Sequence, residues 1–239
     1  MRRLISLVLL IIIGLGIVHG LSGGPFGARG AAQAGRLAQE QVNFGRRYNS
    51  RGLQQNGAAN IVASVVVNYR GLDTLGEVTV LFIAATGVAT VLYARKRAPA
   101  GGEAEPASLI VFTGCRFLFP LILLLGCYIC FHGHLTPGGG FQAGAVVASG
   151  FLLIYLGCPS RRPSEGGVAV AESLSGVAFV LVGLLGLAVG GSFLLNFLPD
   201  GEAFALLSAG VIPLIYIAIG VKVGSELGGI IDNLSTETR

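Results

Sequence analysis

Charge is scarce in this sequence. Asp, Glu, Lys and Arg together make up 12% of 239 residues, where a soluble domain carries about a quarter. A large water-facing surface is excluded, and with it the polar basic face that nucleic-acid binding needs. Three chemical signatures are also missing: a phosphate-binding P-loop, a Ser or Cys nucleophile with a matching base, and a soluble cysteine cluster at metal-ligand spacing. No catalytic residue and no resident cofactor is expected in this chain. Cysteine is sparse too. Cys115, Cys127, Cys130 and Cys158 all lie in or beside apolar runs. Cys127-Tyr128-Ile129-Cys130 followed by His132 and His134 has a superficial metal-site look. Cysteines in membrane helices are more commonly small apolar packers, so the expectation is no metal site and no disulfide framework.

What the chain has instead is apolar length. A spanning helix needs about 20 apolar residues, and six runs qualify: Leu4–Leu21, Thr74–Tyr93, Leu109–Phe131, Gly140–Leu156, Leu174–Phe193 and Phe204–Val223. The expected fold is all-α and polytopic. The first run also has the layout of a secretory signal, with Arg2-Arg3 before it and small residues near Gly20–Gly24. It is long for a signal core and lacks a small-x-small cleavage site, so it is expected to stay as an anchor. Lys and Arg set the orientation. With a cytoplasmic N-terminus, the inner side collects Arg2, Arg3, Arg95-Lys96-Arg97, Arg161, Arg162 and the C-terminal tail. The segment with Arg29, Arg36, Arg46, Arg47 and Arg51 breaks this pattern. It could rest on lipid headgroups or on a partner protein of the membrane. The localisation implied is the cell membrane.

The polar stretch Arg95–Ser108, rich in Pro, Gly and Glu, reads as a flexible linker. The organisation expected is an anchor and basic segment over 1–56, a short membrane unit over 57–97, the linker core over 98–108, and a four-helix membrane unit over 109–239. A weak pattern over Gly30–Tyr48 allows a surface helix. Within the short unit, Asn60–Tyr69 is apolar but too short to span, and Gly57–Tyr93 is too long for one ordinary membrane helix. The chain must break near Tyr69-Arg70-Gly71-Leu72-Asp73-Thr74. A broken or re-entrant segment before the second span follows, of the kind tolerated only inside protein or beside a wet cavity.

Three places could carry chemistry. Asp73-Thr74-Leu75-Gly76-Glu77 sets two carboxylates at the start of an apolar run. Thr74 and Glu77 fit a capping box, and Asp73 and Glu77 also suit a helix N-terminus. A charged group near the bilayer core equally marks a cation or proton path, with Arg70 able to neutralise one acid. Next comes His132-Gly133-His134-Leu135-Thr136-Pro137-Gly138-Gly139-Gly140. It is either a tight turn or a backbone N–H cradle at a helix start. Gly140 and Gly144 form a small-xxx-small face, and His134 could relay protons. Last, Lys222 and Glu226 are four apart on the final helix. Either Lys222 snorkels to the inner interface, or the pair belongs to an ion path that Glu172, read as opening the fifth span, could join. Arg116 is read as interfacial.

Asn68-Tyr69-Arg70-Gly71-Leu72-Asp73-Thr74-Leu75-Gly76-Glu77-Val78-Thr79-Val80-Leu81 resembles the C-terminal end of the large MrpA component of Mrp-type multisubunit cation/proton antiporters. The same piece occurs as a separate small subunit in energy-converting membrane-bound hydrogenases. From Leu109 onward, Gly133-His134 and Pro137-Gly138-Gly139-Gly140-Phe141 resemble the MnhB/MrpB component. The two pieces, in this order, cover about Asn60 to Leu234. The resemblance implies a non-catalytic subunit of a complex that moves Na+ or H+, with other membrane subunits as partners. It puts Glu77 at the family's acidic position, with Asp73 beside it. The motif lies behind a first span and a basic segment, not behind the large helix bundle of MrpA. That arrangement implies a hydrogenase-type complex over a true Mrp antiporter, and a chain that does not transport alone. Two alternatives stay open: a purely structural membrane subunit, or a stand-alone transporter.

Overall fold

The computed structural model of the chain describes residues 44–93, 108–158 and 164–237, with isolated positions before residue 20. Most of the first expected span, the arginines at 95, 97, 161 and 162 with Lys96, and nearly all of the linker lie outside the described residues. So does most of the expected Gly30–Tyr48 helix. Helix α1 (Phe44–Asn56) covers only its end. Five helices among the described residues are long and apolar enough to cross a membrane. They are α3 (Gly71–Tyr93), α4 (Leu109–Phe131), α5 (Gly140–Gly157), α6 (Glu165–Gly190) and α7 (Ile212–Glu237).

The expected broken segment is present. A single turn, α2 (Ile61–Ala63), runs directly into a π-helical turn over Ser64–Tyr69. Arg70 ends it, its N–H bonding the Val65 carbonyl at 2.8 Å. Asn60 begins it and does three things at once. Its Oδ1 accepts the Val62 N–H at 3.1 Å, and its Nδ2 donates to the carbonyls of Gly133 (2.8 Å) and Thr136 (3.1 Å). Its backbone N–H adds a bond to the His134 carbonyl at 2.9 Å. One residue therefore caps the short helix and staples it to the turn between α4 and α5.

The break at Arg70 is sharper than the sequence suggested, because α3 starts at Gly71 and already includes Thr74. The capping box is consequently not formed. Thr74 is buried and donates its hydroxyl to the Val66 carbonyl at 2.6 Å, tying α3 back to the π turn. Gly71 lets α3 approach Leu194 closely, since a Cβ there would stand 2.7 Å from Leu194 Cδ1 and 3.3 Å from its Cβ. No such approach exists at Gly76, whose Cβ would meet nothing within 4 Å.

Helix α7 is the centre of the bundle, packed on α5, α6 and α3. Glycines make its seam with α5. A Cβ on Gly140 would stand 2.7 Å from Ile219 Cβ, and one on Gly144 would stand 2.7 Å from Val223 Cβ and 2.9 Å from the Gly224 nitrogen. In lipid there is little hydrophobic drive between helices, so this backbone approach supplies the contact. Half of the α7 span is buried inside the chain, against 11% of the α3 span and 11% of the α4 span. The outer faces of α3 and α4 are left to lipid or other subunits.

Two helix bounds correct the sequence reading. The fifth span begins at Glu165, not Leu174, because Ser164 accepts the Gly167 N–H at 3.1 Å and caps the helix there. The sixth begins at Ile212, not Phe204. Apolar residues before it lie in irregular backbone, with positive φ at Leu194 (61°), Phe204 (69°) and Ala209 (67°). Asn196 stabilises this loop by donating to Asp200 Oδ1 at 2.6 Å and accepting the Val211 N–H at 2.9 Å. Hydropathy alone does not show the boundary. Pro213, near the first position of α7 where no N–H is needed, is the signal that does.

Candidate functional site

The earlier start of α6 and the later start of α7 move three charged residues from helix ends into the bundle. Lys222 and Glu226 flank the middle of the Ile212–Ser235 span. At 1.5 Å per residue, Lys222 lies about 15 Å along it. Lys222 is 8% exposed and Glu226 is 1% exposed, so the interfacial, snorkelling reading of Lys222 does not hold. The ammonium Nζ stands 2.7 Å from Glu226 Oε1 and 4.0 Å from Glu172 Oε1. Glu172 sits two turns inside α6 with its side chain 24% exposed, and so does not open that helix. The second oxygen of Glu226 has no hydrogen-bond partner.

Three helices build this site. α7 supplies the Lys222–Glu226 pair at helical i,i+4 spacing. α6 supplies Glu172 and, one turn on, Gly176, where a Cβ would be 3.7 Å from the ammonium. α3 supplies Phe82, whose ring centre is 5.0 Å from Nζ in cation–π geometry. Sequence reasoning does not single out Phe82 or Gly176, since neither bears charge and only the fold brings them to Lys222. With all groups ionised, the site holds one positive and two negative charges. A cluster of net charge −1 in a low-dielectric interior is strongly disfavoured unless a cation or proton joins it.

The other expected residues lie apart from this triad. Asp73 pairs with Arg70 at 2.5 Å, and both side chains are more than half exposed. Glu77 is exposed six residues into the Gly71–Leu92 span, with no ion-pair partner among the described residues. His134 is fully buried, not an exposed loop residue. Its Nε2 stands 3.5 Å from the Ala205 carbonyl, and its Nδ1 has no partner. Burial pushes its pKa below the ordinary imidazole value, with the Ala205 carbonyl opposing that shift. His132 is half-buried and stacks on Tyr128. Pro137 and Gly138 form the turn before α5, Gly139 is its N-terminal flanking residue at φ 141°, and Gly140 starts the helix. A Cβ on Gly138 would stand 2.9 Å from the Ile129 carbonyl, so this turn is packed tightly. Arg116 lies inside α4 with its guanidinium 5.4 Å from the Phe112 ring centre. Cys127 is exposed while Cys130 is buried, so the two do not share an environment.

Comparison with known proteins adds the relationships. Residues 110–229 match the family described as a domain related to the MnhB subunit of the Na+/H+ antiporter. Residues 30–108 match the family described as the MBH component MbhE. An uncharacterised protein of Methanocaldococcus jannaschii is 30% identical, over 81% of this chain and 83% of its own length. A probable K+/H+ antiporter protein of Rhizobium meliloti, of the combined A/B type, is 31% identical over 48% of this chain, which spans 14% of that longer protein. Among solved structures, a chain of the membrane-bound sulfane sulfur reductase, an archaeal respiratory membrane complex, is 44% identical. It superposes with a TM-score of 0.70 over 98% of this chain and 97% of its own. A chain of the Mrp complex from a Dietzia species is 29% identical with a TM-score of 0.68, this chain covering 26% of it. This chain therefore belongs to the MnhB-related family of Na+/H+ antiporter-type subunits, carrying an MbhE segment ahead of the MnhB-related domain.

Proposed function

We propose that this chain is a non-catalytic, multi-pass membrane subunit of an Mrp-like module that moves Na+ or H+ within a hydrogenase-type respiratory complex. Redox chemistry belongs to other subunits of such a complex, and the transported ion is a passenger, not a resident cofactor. The observation that carries the ion-path reading is the buried Lys222–Glu226–Glu172 cluster with its formal charge of −1. A group that needs a transient cation or proton beside it, near mid-membrane, is suited to passing one on. The orientation follows the basic residues, with a cytoplasmic N-terminus and the turn at His132–Gly139 on the outer side.

Glu77 supports a second contact point for the same path. It stands on the weakly covered face of α3, where a carboxylate cannot face lipid tails without cost. A neighbouring subunit that covers α3 would complete its surroundings. The experiment is ion translocation by the purified, reconstituted complex carrying Glu226→Gln or Glu77→Gln. Both variants are expected to assemble, because an amide keeps the shape, and to lose translocation at least tenfold. Normal translocation in both would reduce the chain to a structural role. Liposomes holding this chain alone are expected to show no sodium flux.

A further inference from the structure

The sulfur atoms of Cys115 on α4 and Cys158 at the end of α5 stand 2.7 Å apart. Even the smaller carbon atom keeps about 3.5–4.0 Å from its non-bonded neighbours, whereas a disulfide holds its sulfurs at about 2.05 Å. The pair is thus well inside ordinary contact. The surroundings are built to bring them there. Gly157 lets the end of α5 approach so closely that a Cβ on it would meet Cys115 Sγ at 2.6 Å. Cys158 is held by its own N–H, which bonds the Ile154 carbonyl at 2.7 Å. Both thiols turn toward the Phe112 carbonyl, at 3.1 Å from Cys115 and 3.9 Å from Cys158. Each residue is 1% exposed, and with Ile154 they form a small core separate from the main one, flanked by Phe119 and Leu153.

We propose that Cys115 and Cys158 are a covalent modification site, forming a disulfide that ties α4 to α5. Helix α4 packs mainly on α5 and only slightly on the central α7. A bond here would pin α4 to α5 where lipid gives little drive for association. The chemistry is thiol–disulfide exchange with a small organic disulfide. One cysteine thiolate attacks it, forming a mixed disulfide and releasing the first small thiolate. The second cysteine, as thiolate, then attacks the mixed bond and releases the other. Two electrons pass to the small disulfide, and the two cysteine protons end on the released thiols.

The test uses the full chain in its own membranes, with or without prior exposure to oxidised glutathione, followed by acid quenching, denaturation and tagging with a maleimide-polyethylene glycol. Cys127 and Cys130 serve as internal free thiols. The expected result in at least one condition is two tags before reduction and four after, with an unreduced peptide pair joining Cys115 to Cys158. Cys115→Ser should then take three tags with or without reduction. Four tags before reduction in both conditions would overturn the proposal. So would a cross-link that joins Cys127 to Cys130 instead.

Discussion

Lys222→Met is expected to be the most damaging single substitution in the bundle. It removes the cluster's cation and leaves Glu226, 1% exposed, and Glu172 facing each other without compensation. Stranding a buried charge in this way costs about 3–5 kcal/mol, enough to lower the yield of assembled complex severely. Adding Glu226→Gln to Lys222→Met removes the deepest uncompensated charge and should restore much of the assembly. Translocation should stay lost if the proposed path runs through the cluster, which then lacks two of its three charged groups. The readouts are the amount of intact complex recovered from membranes and the thermal midpoint of what is recovered. If Lys222→Met alone assembles normally, Lys222, Glu226 and Glu172 do not act as one electrostatic unit.

Gly144→Leu should produce a comparable loss for an unrelated reason. A Cβ at Gly144 already falls 2.7 Å from Val223 Cβ and 2.9 Å from a backbone nitrogen, so the new side chain has no flexible neighbour to displace. Over-packing of a core typically costs about 1–3 kcal/mol, and this site lies at or above the top of that range because α5 and α7 must separate. Gly76→Ala is the matched control, since its Cβ enters open space and alanine is favoured over glycine in a helix by about 1 kcal/mol. Thermal unfolding of the two variants in detergent should move in opposite directions. A tolerated Gly144→Leu would mean that the glycine seam does not set the distance between α5 and α7.

The membrane helices are legible in the sequence because hydropathy and length decide them locally. So is the broken segment, since a 37-residue apolar stretch interrupted by Arg70 and Gly71 admits few other forms. The site is legible only as separate residues. Spacing pairs Lys222 with Glu226, but their depth cannot be read while hydropathy starts the last helix eight residues early. The cause is the apolar content of the loop before it, which imitates a span in composition and is held irregular by Asn196 and three non-glycine residues with positive φ. Glu172 is misplaced in a similar way, because the N-cap at Ser164 starts its helix ahead of the apolar run. Asn60 is visible as a polar residue before an apolar run, which is the signature of a cap. Its grip on Gly133 and Thr136, 73 and 76 residues away, depends on tertiary structure.

The central claim is that a charge imbalance, not a fixed ion pair, makes this cluster a stage in ion movement. Glu172→Gln tests it most directly. The change leaves Lys222 and Glu226 as a neutral pair 2.7 Å apart, so the site no longer calls for a third positive partner. The measurement is Na+ and proton uptake by proteoliposomes of the purified complex, with its redox activity recorded in parallel. The expected result is a complex at least as stable as the parent, with translocation reduced at least tenfold. Full translocation with Glu172 neutralised would contradict it.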